Sequence, residues 1–122
     1  MLPASHCEPY QELQKALESM LSKVSSTNWQ GAKLQEIDQS VQQVFSQEIA
    51  NLRADELAPE DISRWQSIQT EIHKQMRLLS TDLMMLQAAR SSETFLVRSK
   101  SLCDRITTLI QYCQALIDRS RE

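Results

Sequence analysis

The residues able to bind a metal ion through nitrogen or sulfur, or to exchange protons near neutral pH, are few: His6, His73, Cys7, Cys103 and Cys113. A di-iron site in a helical bundle needs Glu-x-x-His pairs on facing helices. No glutamate here has a histidine three residues later, and Glu71 and His73 are only two apart. A zinc site could draw on His6, Cys7 and something distant, but adjacent residues on a helix diverge. There is no glycine-rich phosphate loop and no G-x-S-x-G elbow. Arg64, Gln69 and Lys74 are raw material for a pocket between helices, but a solvated helix face is the plainer explanation. The expectation is a chain that is not an enzyme, with no catalytic residue, no cofactor and no metal.

The elements that must carry these residues are helices. The chain has 122 residues, 41% of them apolar, with one glycine (Gly31) and three prolines (Pro3, Pro9, Pro59). A β-rich fold of this length needs many Gly and Pro turns, whereas abundant Leu, Gln, Glu and Arg favour helix. Residue spacing predicts four segments. Tyr10, Leu13, Leu17, Met20 and Val24 step by three and four, a heptad seam. Ser5 and Glu8 form a possible capping box before it, and Pro9 suits a first turn. The second segment starts near Thr27 or Asn28, with Gln30 placed for a box. It carries Leu34, Ile37, Val41, Val44, Phe45, Ile49 and Leu52, with a seam shift between Val44 and Phe45 that predicts a bend or rotation.

Pro59 opens the third segment, with Glu60 and Asp61 favourable to the helix dipole in its first turn. Ile62, Trp65, Gln69, Ile72, Met76, Leu79, Leu83 and Leu86 form its seam, to about residue 90. Ser91 or Ser92 caps the fourth, whose stripe is Phe95, Ser99, Leu102, Ile106, Leu109, Cys113 and Leu116. Leu96, Cys103, Ile110 and Ile117 make a second row beside it. The reading is all-α: an antiparallel up-and-down bundle of four helices, one domain over residues 1–122. If the turn near Ser91 failed, residues 59–120 would form one long helix and require oligomerisation. Gln69 and Ser99 interrupt their seams, either near a helix crossing or a wet end of the core, or as register-setting contacts.

The four helices are expected at about 20, 27, 31 and 28 residues. The longer ones then project past the first and leave part of their stripes uncovered, which is where a partner or a second copy would sit. Cys103 and Cys113 would lie about 15 Å apart on one helix. Reduced thiols are expected, in agreement with a cytoplasmic protein. No apolar run reaches the ~20 residues that span a bilayer, and no signal peptide is evident.

Net charge is −3, which opposes nucleic-acid binding. Residues 1–60 hold four Lys/Arg and nine Asp/Glu; residues 61–122 hold nine and seven. Either the two halves face each other across the bundle, or the second half presents a basic patch to an acidic partner. Arg90, Arg98, Lys100 and Arg105 are the densest basic group, with only Glu93 and Asp104 among them. They are the candidate partner-binding residues, together with Trp29 as an interface anchor. Trp65 is expected in the core, and Met84 and Met85 in the core or at its rim, with at least one facing outward.

The segments YQELQKALESML, ELAPEDISRWQSIQTEIHKQM and RSSETFLVRSKSLCDRITTLIQYCQALI resemble the PatD family of filamentous cyanobacteria. The resemblance covers most of the chain but carries no invariant motif, so it transfers no residue role. It implies a non-enzymatic regulator that binds the tubulin-like division protein FtsZ and links cell division to heterocyst differentiation; a monomer or weak dimer is expected. NWQGAKLQEIDQSVQQVF is similar to the tryptophan-led helix of flagellar export chaperones such as FliT. That similarity implies a client-binding function instead.

Overall fold

A computed structural model describes residues 2–25 and 31–119. The described residues form four α-helices and no strand: α1 (Ala4–Ser25), α2 (Gly31–Val44), α3 (Pro59–Gln87) and α4 (Ser92–Arg119). A π-helical turn, Phe45–Ile49, continues α2, and a 3₁₀ turn, Ala54–Glu56, precedes α3. The helices close a ring, with α1 against α2 and α4, α3 against α4, and α2 more loosely against α3. Neighbours run antiparallel. His6 of α1 meets Trp65 of α3 at one end, and Arg98 of α4 meets Met85 of α3 at the other.

The heptad seams become the core. Tyr10, Leu13, Leu17, Met20 and Val24 of α1 are buried against Ile72, Leu79 and Leu83 of α3 and Leu102, Ile106, Leu109 and Cys113 of α4, all in one cluster. The ends differ from the sequence reading. The N–H groups of His6 and Cys7 donate to the Pro3 carbonyl at 2.9 and 3.0 Å. The helix therefore starts before Ser5, which lies inside it rather than at its N-cap position. Pro9 falls in the second turn, not the first. The expected start of the second helix at Thr27 or Asn28, and the box with Gln30, lie outside the described residues. α3 opens as expected with Pro59 at its first position, and the Asp61 N–H donates to the Ala58 carbonyl at 2.9 Å.

The seam shift at Val44–Phe45 has a definite cause. From Phe45 the backbone bonds skip five residues, and the Ala50 N–H donates to the Phe45 carbonyl at 2.9 Å. A π turn inserts one residue without breaking the helix. That rotation brings Ile49 into the core after Val41, eight positions earlier.

Trp65 is buried as expected, and the polar seam residue Gln69 is only 8% exposed. Their heads join one chain of hydrogen bonds. The Trp65 indole N–H donates to the Tyr10 hydroxyl at 3.0 Å, Tyr10 donates to Gln69 Oε1, and Gln69 Nε2 donates to the Ile49 carbonyl at 3.2 Å. Gln69 is thus bonded inside the core, to Tyr10 of α1 and to the π turn, rather than left at a wet end. Burial pushes the Tyr10 phenol above its ordinary range, so it stays protonated as this donor role requires. His6 closes the same end: its Nε2 lies 2.7 Å from the Arg53 carbonyl and its ring is edge-on to Trp65.

Replacing Tyr10 by Phe keeps the ring and removes the hydroxyl shared by Trp65 and Gln69. The unfolding free energy is expected to fall by about 1–3 kcal/mol in urea titrations followed by tryptophan fluorescence. A loss below about 0.5 kcal/mol would mean that these bonds do not hold the register.

Candidate docking surface

α3 and α4 form a hairpin whose turn is enforced by serine. Ser91 caps α4: its Oγ accepts the Thr94 N–H at 3.1 Å and bonds Thr94 Oγ1 at 2.9 Å, and its carbonyl accepts the Phe95 N–H at 3.0 Å. This is N-cap geometry, with the side chain satisfying an otherwise orphaned donor of the first turn. The alternative of a single helix over residues 59–120 is excluded.

The length mismatch places the uncovered surface at this hairpin. Gln14 of α1 donates to Gln114 Oε1 at 2.8 Å and to the Ile110 carbonyl at 3.5 Å. Ser25, the last residue of α1, lies eleven positions beyond Gln14, so it is level with residues 99–103 of the antiparallel α4. The first roughly 10–16 Å of α4 therefore extends past α1. The row Leu96, Cys103, Ile110, Ile117 records this. Ile117 is buried, Ile110 and Cys103 are half-buried, and Leu96 is 67% exposed. Val97 beside it is 68% exposed, and across the hairpin Met84 and Met85 are 69% and 48% exposed. Leu96 was expected in the second core row, and Met84 and Met85 in the core or at its rim. The expectation that at least one methionine faces outward holds, and both do, because Leu83 and Leu86 take the inward positions of α3; Leu96 faces outward because α1 ends before it can cover it.

The basic residues do not act as one group. At 100° per residue, Arg98 and Arg105, seven apart, share a face of α4, whereas Lys100 lies some 200° around from Arg98. Arg98 Nη1 donates to the Met85 carbonyl, one of the orphan acceptors in the last turn of α3. Arg105 Nε meets Asp82 Oδ2 at 2.8 Å and its Nη1 donates to Gln75 Oε1 at 2.8 Å, which satisfies the buried amide of Gln75. These two arginines staple the hairpin. Arg90 and Lys100 remain exposed beside the apolar end. Trp29 lies outside the described residues.

The raw material for catalysis does not converge. Arg64 and Lys74 are exposed while Gln69 points into the core. Among the described residues no three His, Cys, Asp or Glu side chains are placed to hold a metal, and no buried side-chain nitrogen or oxygen lacks a partner. Cys7, Cys103 and Cys113 form no disulfide, and burial pushes the Cys113 thiol up to about 12. No helix among these residues is long and apolar enough to cross a membrane.

Fold and surface together define a four-helix bundle domain with an uncovered apolar hairpin end. The chain belongs to the family described as CRR41 C-terminal domain, whose model matches residues 9–115. That span holds the Tyr10–Trp65–Gln69 bonds and the hairpin up to residue 115, and leaves His6 and the end of α4 outside. No curated protein and no solved structure matches the chain.

Sequence reasoning pointed to the hairpin by its charges and missed Leu96 and Val97. The signal for them was the shortness of the first helix. Substituting Arg105 by Ala is expected to cost about 1–3 kcal/mol of stability in chemical denaturation, because it strands the Gln75 amide and the Asp82 carboxylate. Arg90→Ala and Lys100→Ala should stay within about 0.5 kcal/mol of the unaltered protein. Equal effects at all three positions would contradict this division of roles.

Proposed function

We propose that this chain is a non-enzymatic regulator that acts in the cytoplasm by binding another protein, and that its partner is FtsZ. Protein binding rests on one observation above all: Met84, Met85, Leu96 and Val97 leave apolar surface open to water on both arms of one hairpin. Exposed apolar side chains gathered at one end of a hairpin mark a candidate interaction site, and methionine adapts to irregular partners. Arg90 and Lys100 flank it and favour an acidic counter-surface, steering encounter more than adding affinity. FtsZ as the partner, and a link between division and heterocyst differentiation, are supported by the resemblance of three long segments to the PatD family.

The test is co-sedimentation of the purified protein with FtsZ polymers at low and moderate salt. Saturable binding is expected. The double variant Leu96→Asp, Val97→Asp should weaken it at least about tenfold, as loss of an interface anchor does, with an unchanged unfolding transition. Arg90→Glu with Lys100→Glu should also weaken it and flatten its salt dependence. These two sites are chosen because reversing Arg98 or Arg105 would damage the hairpin itself. No binding at either salt concentration rejects FtsZ and favours the export-chaperone reading. Binding that survives the double aspartate variant rejects the hairpin end as the docking surface.

A further inference from the structure

The loosest seam of the ring, between α2 and α3, opens into a cleft of about 480 Å³. Gln42, Phe45, His73, Met76, Arg77 and Ser80 line it. Its apolar part comes from Phe45, the first residue of the π turn, and from Met76. The Phe45 ring meets the His73 ring edge-on with centroids 4.9 Å apart, and Met76 is almost wholly buried beneath. Its polar part faces the same space. Gln42 Nε2 donates to Ser80 Oγ at 3.0 Å and reaches Asp38 Oδ1 at 3.4 Å.

Arg77 is exposed and forms no ion pair among the described residues. Among the described residues none that lines the cleft is acidic; Asp38, one turn before Gln42, stands at the margin with an oxygen turned to the Gln42 amide. Burial, and then the charge of Arg77, hold His73 below the ordinary imidazole range. Its ring is neutral at pH 7, with one N–H to donate. The lining therefore combines an apolar floor, a single unpaired cation and neutral donors. Its size falls within the roughly 300–1,000 Å³ of small-molecule sites.

We propose that this cleft binds a small organic acid, with the apolar body of the ligand on Phe45 and Met76 and its carboxylate on the Arg77 guanidinium. Ser80 and His73 supply further donors at the rim. The planar fork of arginine matches a carboxylate with two parallel bonds, and a charge-assisted pair of this kind is roughly twice as strong as a neutral one. The site is independent of the hairpin end and of the partner assigned to it.

Amide NMR titration of the full chain with phenylacetate, and in parallel with uncharged phenylacetamide, tests the proposal. Phenylacetate should shift the amides around Phe45, His73, Arg77 and Ser80 saturably, with Kd in the millimolar range or below. Phenylacetamide should bind at least about tenfold more weakly. Arg77→Gln, at an exposed position, should abolish the preference for the acid and leave the thermal transition in place. Absence of saturable shifts at these residues, or equal binding of acid and amide to the unaltered protein, overturns the proposal. So does a preference that survives Arg77→Gln.

Discussion

The Tyr10 hydroxyl sits where three pieces of chain meet, and the rest of the bundle is arranged around what it must satisfy. It accepts from Trp65 and donates to Gln69, and Gln69 passes the chain on to the Ile49 carbonyl. Hydrophobic seams alone do not fix register, because sliding one helix by a heptad still buries leucine on leucine. A buried hydroxyl, indole and amide tolerate no such slip, since any misalignment strands several polar groups away from water. α1 and α3 are thereby held at one longitudinal offset, and with it the height at which α1 stops. The exposed hairpin end is the distant consequence, because that offset leaves the start of α4 uncovered.

The π turn belongs to the same arrangement. Ile49 contributes both a buried side chain and the carbonyl that Gln69 uses, and an uninterrupted α-helix from Gly31 would carry its side chain some 100° away from that position. The extra residue in the turn thus serves the core at Ile49 and places Phe45 beside His73. One irregularity accounts for the polar network at one end of α3 and for a cleft midway along it.

Much of this was legible in the chain itself. Seams at Tyr10–Val24, Trp65–Leu86 and Leu102–Leu116 became the core because heptad spacing dictates which face is buried. The Val44–Phe45 shift marked the π turn, though periodicity alone cannot tell a bend from an inserted residue. The candidate site was less legible. Charge density drew attention to Arg98 and Arg105, but whether an arginine faces solvent or a neighbouring carboxylate depends on helix pairing, and Asp82 lies 23 residues from Arg105. Leu96 read as core because its row continues to the buried Ile117. The short first helix signalled that part of a stripe would stay uncovered, but only the observed pairing of α1 with α4 shows that this part includes Leu96.

Stapling and exposure at the hairpin are linked. An end that leaves Leu96, Val97, Met84 and Met85 in water gains little from burial there, so its two arms need another reason to stay together. Arg98 on the Met85 carbonyl and Arg105 on Asp82 and Gln75 supply it with polar contacts across the pair, while Ser91 closes the turn. A surface held rigid in this way loses less conformational entropy when a partner covers it, and preorganisation of that kind is worth affinity without adding a contact. The arginines that first suggested a docking patch contribute to binding in this indirect sense: they keep the apolar surface in one shape, and the two cations they leave outside it set the charge that a partner meets.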